Sequence, residues 1–129
     1  MKKIIVASCL LTVVAFLFQN KSYAQTENSG TVLRHIVIIT FKQDASADSI
    51  QALDNIYRDL SKSPLVKSFE MGVNISTRDT GVIKHIYVTS FANKDDMDNY
   101  RKIPEYSKLF KVSLPVSEDV TVADYWAKQ

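Results

Sequence analysis

The chain has 129 residues, 46% of them apolar and 23% charged, with three glycines and three prolines. That composition belongs to one globular domain and excludes collagen-like, low-complexity and disordered classes. The formal charge of +2 depends on the N-terminal segment: without Lys2, Lys3 and Lys21 the basic count falls from 16 to 13 against 14 acidic residues, a net −1. A near-neutral domain carries no electrostatic footprint for nucleic acid or for an anionic membrane.

Lys2 and Lys3 precede an apolar run of 15 residues from Ile4 to Phe18, and Ser22-Tyr23-Ala24 offers small residues at the positions a signal peptidase reads. Residues 1–24 therefore read as a signal peptide, cleaved to leave Gln25 first and to place the protein in the periplasm or outside the cell. The run is shorter than the ~20 residues of a membrane-spanning helix, so no membrane attachment is expected after cleavage. Cys9, the sole cysteine, lies within that segment. The mature chain then has no thiol, which excludes disulfides, thiolate metal sites and cysteine nucleophiles. Packing alone must hold the remaining 105 residues, and a chain of that size can bury an adequate core.

Residues 25–32 are polar, carry a glycine and show no periodicity, and read as a disordered leader before a domain at 33–126. Leu33 to Phe41 can be laid over Ile83 to Phe91, fifty residues later, with matching chemical character at nearly every position. Both read as strands rich in β-branched residues. After the first, Ile50, Leu53, Ile56, Tyr57 and Leu60 fall at helical spacing between a Ser46 N-cap and a Pro64 stop. After the second, Asn93 caps a helix with Asp95 and Asp96 in its first turn, Pro104 opens a further helical segment and Pro115 closes it. Each half ends in another strand-like run, Val66 to Ile75 broken by Gly72, and Glu118 to Trp126.

A repeated β-α-β with right-handed crossovers gives a ferredoxin-like βαββαβ fold, α+β in class, with a four-stranded antiparallel sheet and the helices on one face. The two repeated strands become central neighbours. On the first, Leu33, His35, Val37, Ile39 and Phe41 point one way and Ile36 and Ile38 the other, so both faces are apolar. Helices cover only one face. A second copy of the same sheet is the economical cover for the other, and a homodimer is expected.

Arg34-His35-Ile36-Val37, the run Phe69 to Asn74, His85-Ile86-Tyr87-Val88 followed by Phe91, Tyr100 with Pro104 and Phe110, and Val122-Ala123-Asp124-Tyr125 together resemble the stress-responsive A/B barrel (Dabb) family over Leu33 to Trp126. The resemblance implies a dimeric α+β barrel of two ferredoxin-like subunits packed sheet to sheet, with a pocket between each sheet and its own helices. A plant polyketide cyclase of that family resembles this chain at His35, His85 and Tyr100. It departs two residues after Pro104, where the cyclase uses a histidine as general base and this chain has Tyr106, and Ile103 replaces another family histidine. A tyrosine of ordinary pKa, near ~10, is a poor proton acceptor at neutral pH.

His35, His85, Tyr100 and Tyr106 are thus the candidate catalytic residues, and His35, His85, Tyr57, Phe69, Tyr87, Tyr100 and Tyr106 the candidate ligand-binding set. The aromatic and hydroxyl groups suit a small, largely apolar or aromatic molecule. As equivalents on neighbouring strands, His35 and His85 are expected on the helix-facing side and close together; they read either as a pocket pair or as core histidines satisfied locally. No metal-ligand spacing, phosphate loop, Ser-His-Asp pattern or cofactor signature appears, and Asp98 reads as a solvated acid rather than a cation ligand. Two functions follow: an exported dimer that binds such a molecule, or a cofactor-independent lyase, cyclase or oxygenase-like enzyme using pocket His and Tyr residues.

Overall fold

A computed structural model describes residues 30–129. Four strands and three α-helices follow one another as β1 (Thr31–Phe41), α1 (Ala47–Leu60), β2 (Val66–Val73), β3 (Lys84–Phe91), α2 (Lys94–Tyr100), α3 (Pro104–Val116) and β4 (Ser117–Lys128), with a single 3₁₀ turn at Thr77–Asp79. The sheet has the order β2-β3-β1-β4 with every neighbouring pair antiparallel. This is the ferredoxin-like arrangement, with the repeated strands β1 and β3 at its centre.

Local chemistry sets the boundaries. Ser46 caps α1, its hydroxyl accepting from the Ser49 N–H at 3.2 Å, and Asp48 supplies the first-turn acid. Asn93 caps α2 in the same way, through the Asp96 N–H at 2.8 Å. Ile103, just before Pro104, is held extended at φ −61° and ψ 133°, which separates α2 from α3, and Pro104 then starts α3 where its missing N–H costs nothing. At Gly81 the backbone has φ +79°, a left-handed turn that favours glycine, three residues before β3 begins at Lys84.

Three boundaries differ from expectation. β1 begins at Thr31, inside the expected leader, because Thr31 and Val32 pair with Lys128 and Ala127 of β4. β2 is not broken at Gly72, which pairs regularly with Ile86; its irregularity lies between Val66 and Ser68, and the strand ends at Val73. Pro115 does not close α3 but sits inside its last turn, where the ring forfeits one hydrogen bond and the helix ends one residue later, at Val116. No loop intervenes: Ser117 already pairs with Phe41, and the carbonyls of Pro115 and Val116 accept from the Lys42 Nζ and N–H, both at 2.9 Å.

The core lies between the helices and one sheet face. Val37, Ile39 and Phe41 of β1 and Tyr87 and Phe91 of β3 pack against Ile50, Leu53, Tyr57 and Leu60 of α1 and Leu109 of α3. Leu53, Tyr87 and Phe91 have no exposed surface. The opposite face has no helix over it. There Ile36 pairs with Val88 and Ala123, and Ile38 with Ile86 and Thr121, so aliphatic side chains occupy the sheet centre, Val88 buried and Ile36, Ile38 and Ile86 partly exposed.

Candidate functional site

The two histidines share the helix-facing side of the sheet, as their equivalence in the repeat requires, but they are not neighbours. His35 lies opposite Thr89, and His85 opposite Ile39. At about 3.3 Å per residue that register sets them roughly 13 Å apart along the ladder. Antiparallel pairing is the cause: equivalent positions in oppositely directed strands are displaced symmetrically about the sheet centre, here near the Val37–Tyr87 pair. The expected proximity is therefore corrected, and each imidazole has found a carboxylate of its own.

His85 belongs to a closed polar knot in the core. Its Nδ1 lies 2.9 Å from Asp54 Oδ1, and the Tyr87 hydroxyl donates to the same oxygen at 2.7 Å. His85 and Asp54 are each only 8% exposed. Burial first, and then the Asp54 carboxylate, push the Tyr87 hydroxyl far above its ordinary pKa, so it remains a donor. The Tyr57 ring stacks on Tyr87 with centroids 3.7 Å apart, and Phe41 meets the His85 ring edge-on at 5.1 Å.

His35 is built differently. Asp124 stands directly across the β1–β4 ladder from it, and His35 Nδ1 lies 2.5 Å from Asp124 Oδ1. The second carboxylate oxygen, Oδ2, accepts from Arg101 Nη2 at 2.9 Å, which ties the end of α2 to β4. Burial acts to raise the Asp124 carboxyl, but the hydrogen bonds from His35 and Arg101 outweigh it and hold the group below the usual carboxylate range. A depressed carboxyl stabilises the fold above its unfolded pKa and loses that contribution as the pH falls through its folded value. The thermal midpoint of the wild type should therefore exceed that of Asp124→Asn above about pH 5, with the gap closing below about pH 4. A gap that stays constant down to pH 2 would show that the carboxylate charge is not what matters.

Beside this pair opens a cleft of about 350 Å³. Its floor is Val37 and Ile39 of β1 with Val120 and Val122 of β4; its walls are Tyr57 of α1 and Tyr106, Leu109 and Phe110 of α3; His35 and Arg101 mark its polar end. The helices leave β4 uncovered, so the cleft opens along that strand. Phe110, Val120 and Val122 remain about half exposed there.

Of the predicted residues, the cleft brings together His35, Tyr57 and Tyr106. Tyr100 lies behind it, hydrogen-bonded to Thr89 and edge-on to Phe91 and Tyr106 at 5.0 and 5.4 Å. His85 and Tyr87 form the separate knot, and Phe69 packs against the core from β2 without reaching the cleft. Arg101, Asp124 and Asp54 were missed. Asp54 had a signal, a carboxylate four residues after Ile50 on the apolar stripe of α1. Asp124 had one too, a lone acid among alternating apolar residues. Among the described residues no group of acids, histidines or cysteines is placed to hold a metal ion, and no helix is long and apolar enough to cross a membrane.

Residues 33–127 match the family model of the stress responsive A/B barrel domain, Dabb. The fold is similar to the hydroxynitrile lyase from Passiflora edulis, at 22% identity over 76% of this chain and 94% of that one, with a TM-score of 0.66. It is also similar to a Dabb family protein with a ferredoxin-like fold from Mesorhizobium loti, at 21% identity over 74% and 95% of the two chains, TM-score 0.61. A dimeric ferredoxin-like protein of unknown function from Thermobifida fusca aligns at 16% identity over 74% and 91%, TM-score 0.64. No curated protein matches the chain.

Proposed function

The chain belongs to the stress responsive A/B barrel family, and from that premise we propose that it is an exported homodimer whose subunits each bind a small, largely apolar or aromatic molecule in the cleft between the β1–β4 pair and α3. The cleft carries the proposal: an apolar trough of about 350 Å³ with one polar end is the form that small-molecule sites take. The aliphatic face on the other side of the sheet supports the dimer, as do solved relatives described as dimeric. Residues 1–29 lie outside the described structure, and export rests on their sequence alone. N-terminal sequencing of the mature protein should begin at Gln25; finding Met1 first would remove the export proposal.

Binding is tested with 2-methoxynaphthalene, a flat and nearly apolar probe. Isothermal titration should show binding to the wild type and none to Val122→Trp, which fills the trough from a half-exposed position. Equal heats from both proteins, or none from either, would sink the proposal.

One observation favours a catalytic reading as a second possibility. Asp124 orients the His35 ring through Nδ1 and leaves Nε2 without a protein partner among the described residues. In this chain Tyr106 occupies the place of the cyclase's base, so proton abstraction would fall to His35.

A further inference from the structure

We infer that the cleft selects a neutral flat ligand whose polar end is a hydrogen-bond donor of the phenolic type, and discriminates against carboxylates. The inference rests on the cleft being the ligand site and adds the chemistry that this site demands.

The polarity of the cleft follows from its charges. Asp124 is held ionised by its two partners, and a carboxylate only accepts hydrogen bonds, so in a neutral His35 ring the proton sits on Nδ1. Nε2 then presents a lone pair. A ligand group facing it must donate a proton in a hydrogen bond; an ether, a nitrile or a carboxylate offers none. Arg101 is the cation at this end of the cleft, and its guanidinium is already engaged by Asp124 Oδ2 at 2.9 Å. An entering carboxylate therefore meets a cation whose charge is already paired with Asp124 through one of its N–H groups, beside the His35 lone pair and the Asp124 charge. A hydroxyl meets an acceptor.

Beside Ser113, two further hydroxyls on the walls add to the match. Tyr57 of α1 and Tyr106 of α3 face the cleft, and among the described residues neither hydroxyl has a hydrogen-bond partner. Burial first, then the neighbouring Tyr106 and Tyr100 hydroxyls, push Tyr57 well above its ordinary pKa, so it keeps its proton and can donate. A phenolic oxygen gives its proton to one group and accepts from another, which a neutral imidazole and a tyrosine hydroxyl can satisfy together. The ring of such a ligand lies on Val37, Ile39, Val120 and Val122, with Phe110 at the open side.

The test is titration of the mature protein, at a pH where ¹⁵N shifts show a single proton on the His35 ring, with 2-naphthol, 2-methoxynaphthalene and 2-naphthoate. 2-Naphthol should bind about tenfold more tightly than its methyl ether, the factor expected of one net hydrogen bond, and the naphthoate more weakly than either. In His35→Phe, which keeps a flat ring and removes the acceptor, the naphthol advantage should disappear while the ether still binds. ¹⁵N shifts of the wild-type His35 ring should show the proton on Nδ1, independently of how the variant folds. Ether binding equal to naphthol binding, tighter binding of the naphthoate, or a proton on Nε2 would overturn the inference while leaving ligand binding in place. Failure of all three probes would remove the cleft as a ligand site, and this inference with it.

Discussion

Replacing Asp54 with alanine should lower the free energy of unfolding by about 2–6 kcal/mol, since it strands two buried donors that each cost about 1–3 kcal/mol when unpaired. Those donors are the His85 Nδ1–H and the Tyr87 hydroxyl, both directed at Asp54 Oδ1. Neither has an alternative. Tyr87 is fully enclosed, stacked on Tyr57, and the His85 ring is packed against Phe41. Small domains are stable by only about 5–15 kcal/mol, so the loss is enough to bring this one near its threshold. Tyr87→Phe is the control: it removes one donor and leaves Asp54 its histidine, and should cost about 1–2 kcal/mol. Urea midpoints of the three proteins separate the cases. A loss in Asp54→Ala no larger than that in Tyr87→Phe would mean that the carboxylate does not hold the knot together.

Asp54 also marks where sequence reading stopped. The periodicity of α1 placed Ile50, Leu53, Ile56, Tyr57 and Leu60 on one stripe, and the structure buries all of them except Ile56, which is partly buried. Period alone gives the face of a residue and not its partner, so a carboxylate on that stripe stays unexplained until β3 brings His85 and Tyr87 opposite it. The internal repeat had the same strength and the same gap. It identified β1 and β3 as equivalent strands with both histidines on the helix side, and their pairing agrees. It did not carry the displacement that antiparallel pairing imposes, and two histidines expected together became two separate histidine–aspartate pairs.

The cleft was legible only in outline. Tyr57 and Tyr106 stood out as aromatic hydroxyls, but Arg101 reads as an ordinary helix-end cation until Asp124 is seen beside it. The opening along β4 depends on which strands the helices leave bare. That is a property of the sheet order β2-β3-β1-β4, not of any local pattern. Gly72 and Pro115 misled for the opposite reason. Each is a strong local breaker in sequence, yet Gly72 pairs regularly within the ladder, and Pro115 falls in a last turn where little hydrogen bonding remained to lose.

Ile38→Asp is expected to convert the proposed dimer to a monomer or to prevent folding. Ile38 lies on the helix-free face, paired with Ile86 on one side and Thr121 on the other, and Ile36, Val88 and Ala123 extend the same aliphatic surface across the sheet centre. In a sheet-to-sheet dimer a carboxylate there would be buried in the seam, at a cost of several kcal/mol. Ile75→Asp is the matched control, the same change at a side chain 93% exposed beyond the end of β2, and should leave the assembly untouched. Sedimentation velocity reads the outcome: wild type and Ile75→Asp at dimer mass, Ile38→Asp at monomer mass or absent from the soluble fraction. An Ile38→Asp protein that sediments as the wild type does would show that this face is not the interface. Where the variant survives as a folded monomer, it should still bind 2-methoxynaphthalene. The cleft lies on the opposite side of the sheet, and its floor and walls come from β1, β4, α1 and α3 of a single chain; loss of binding in a folded monomer would mean that the partner subunit shapes the site.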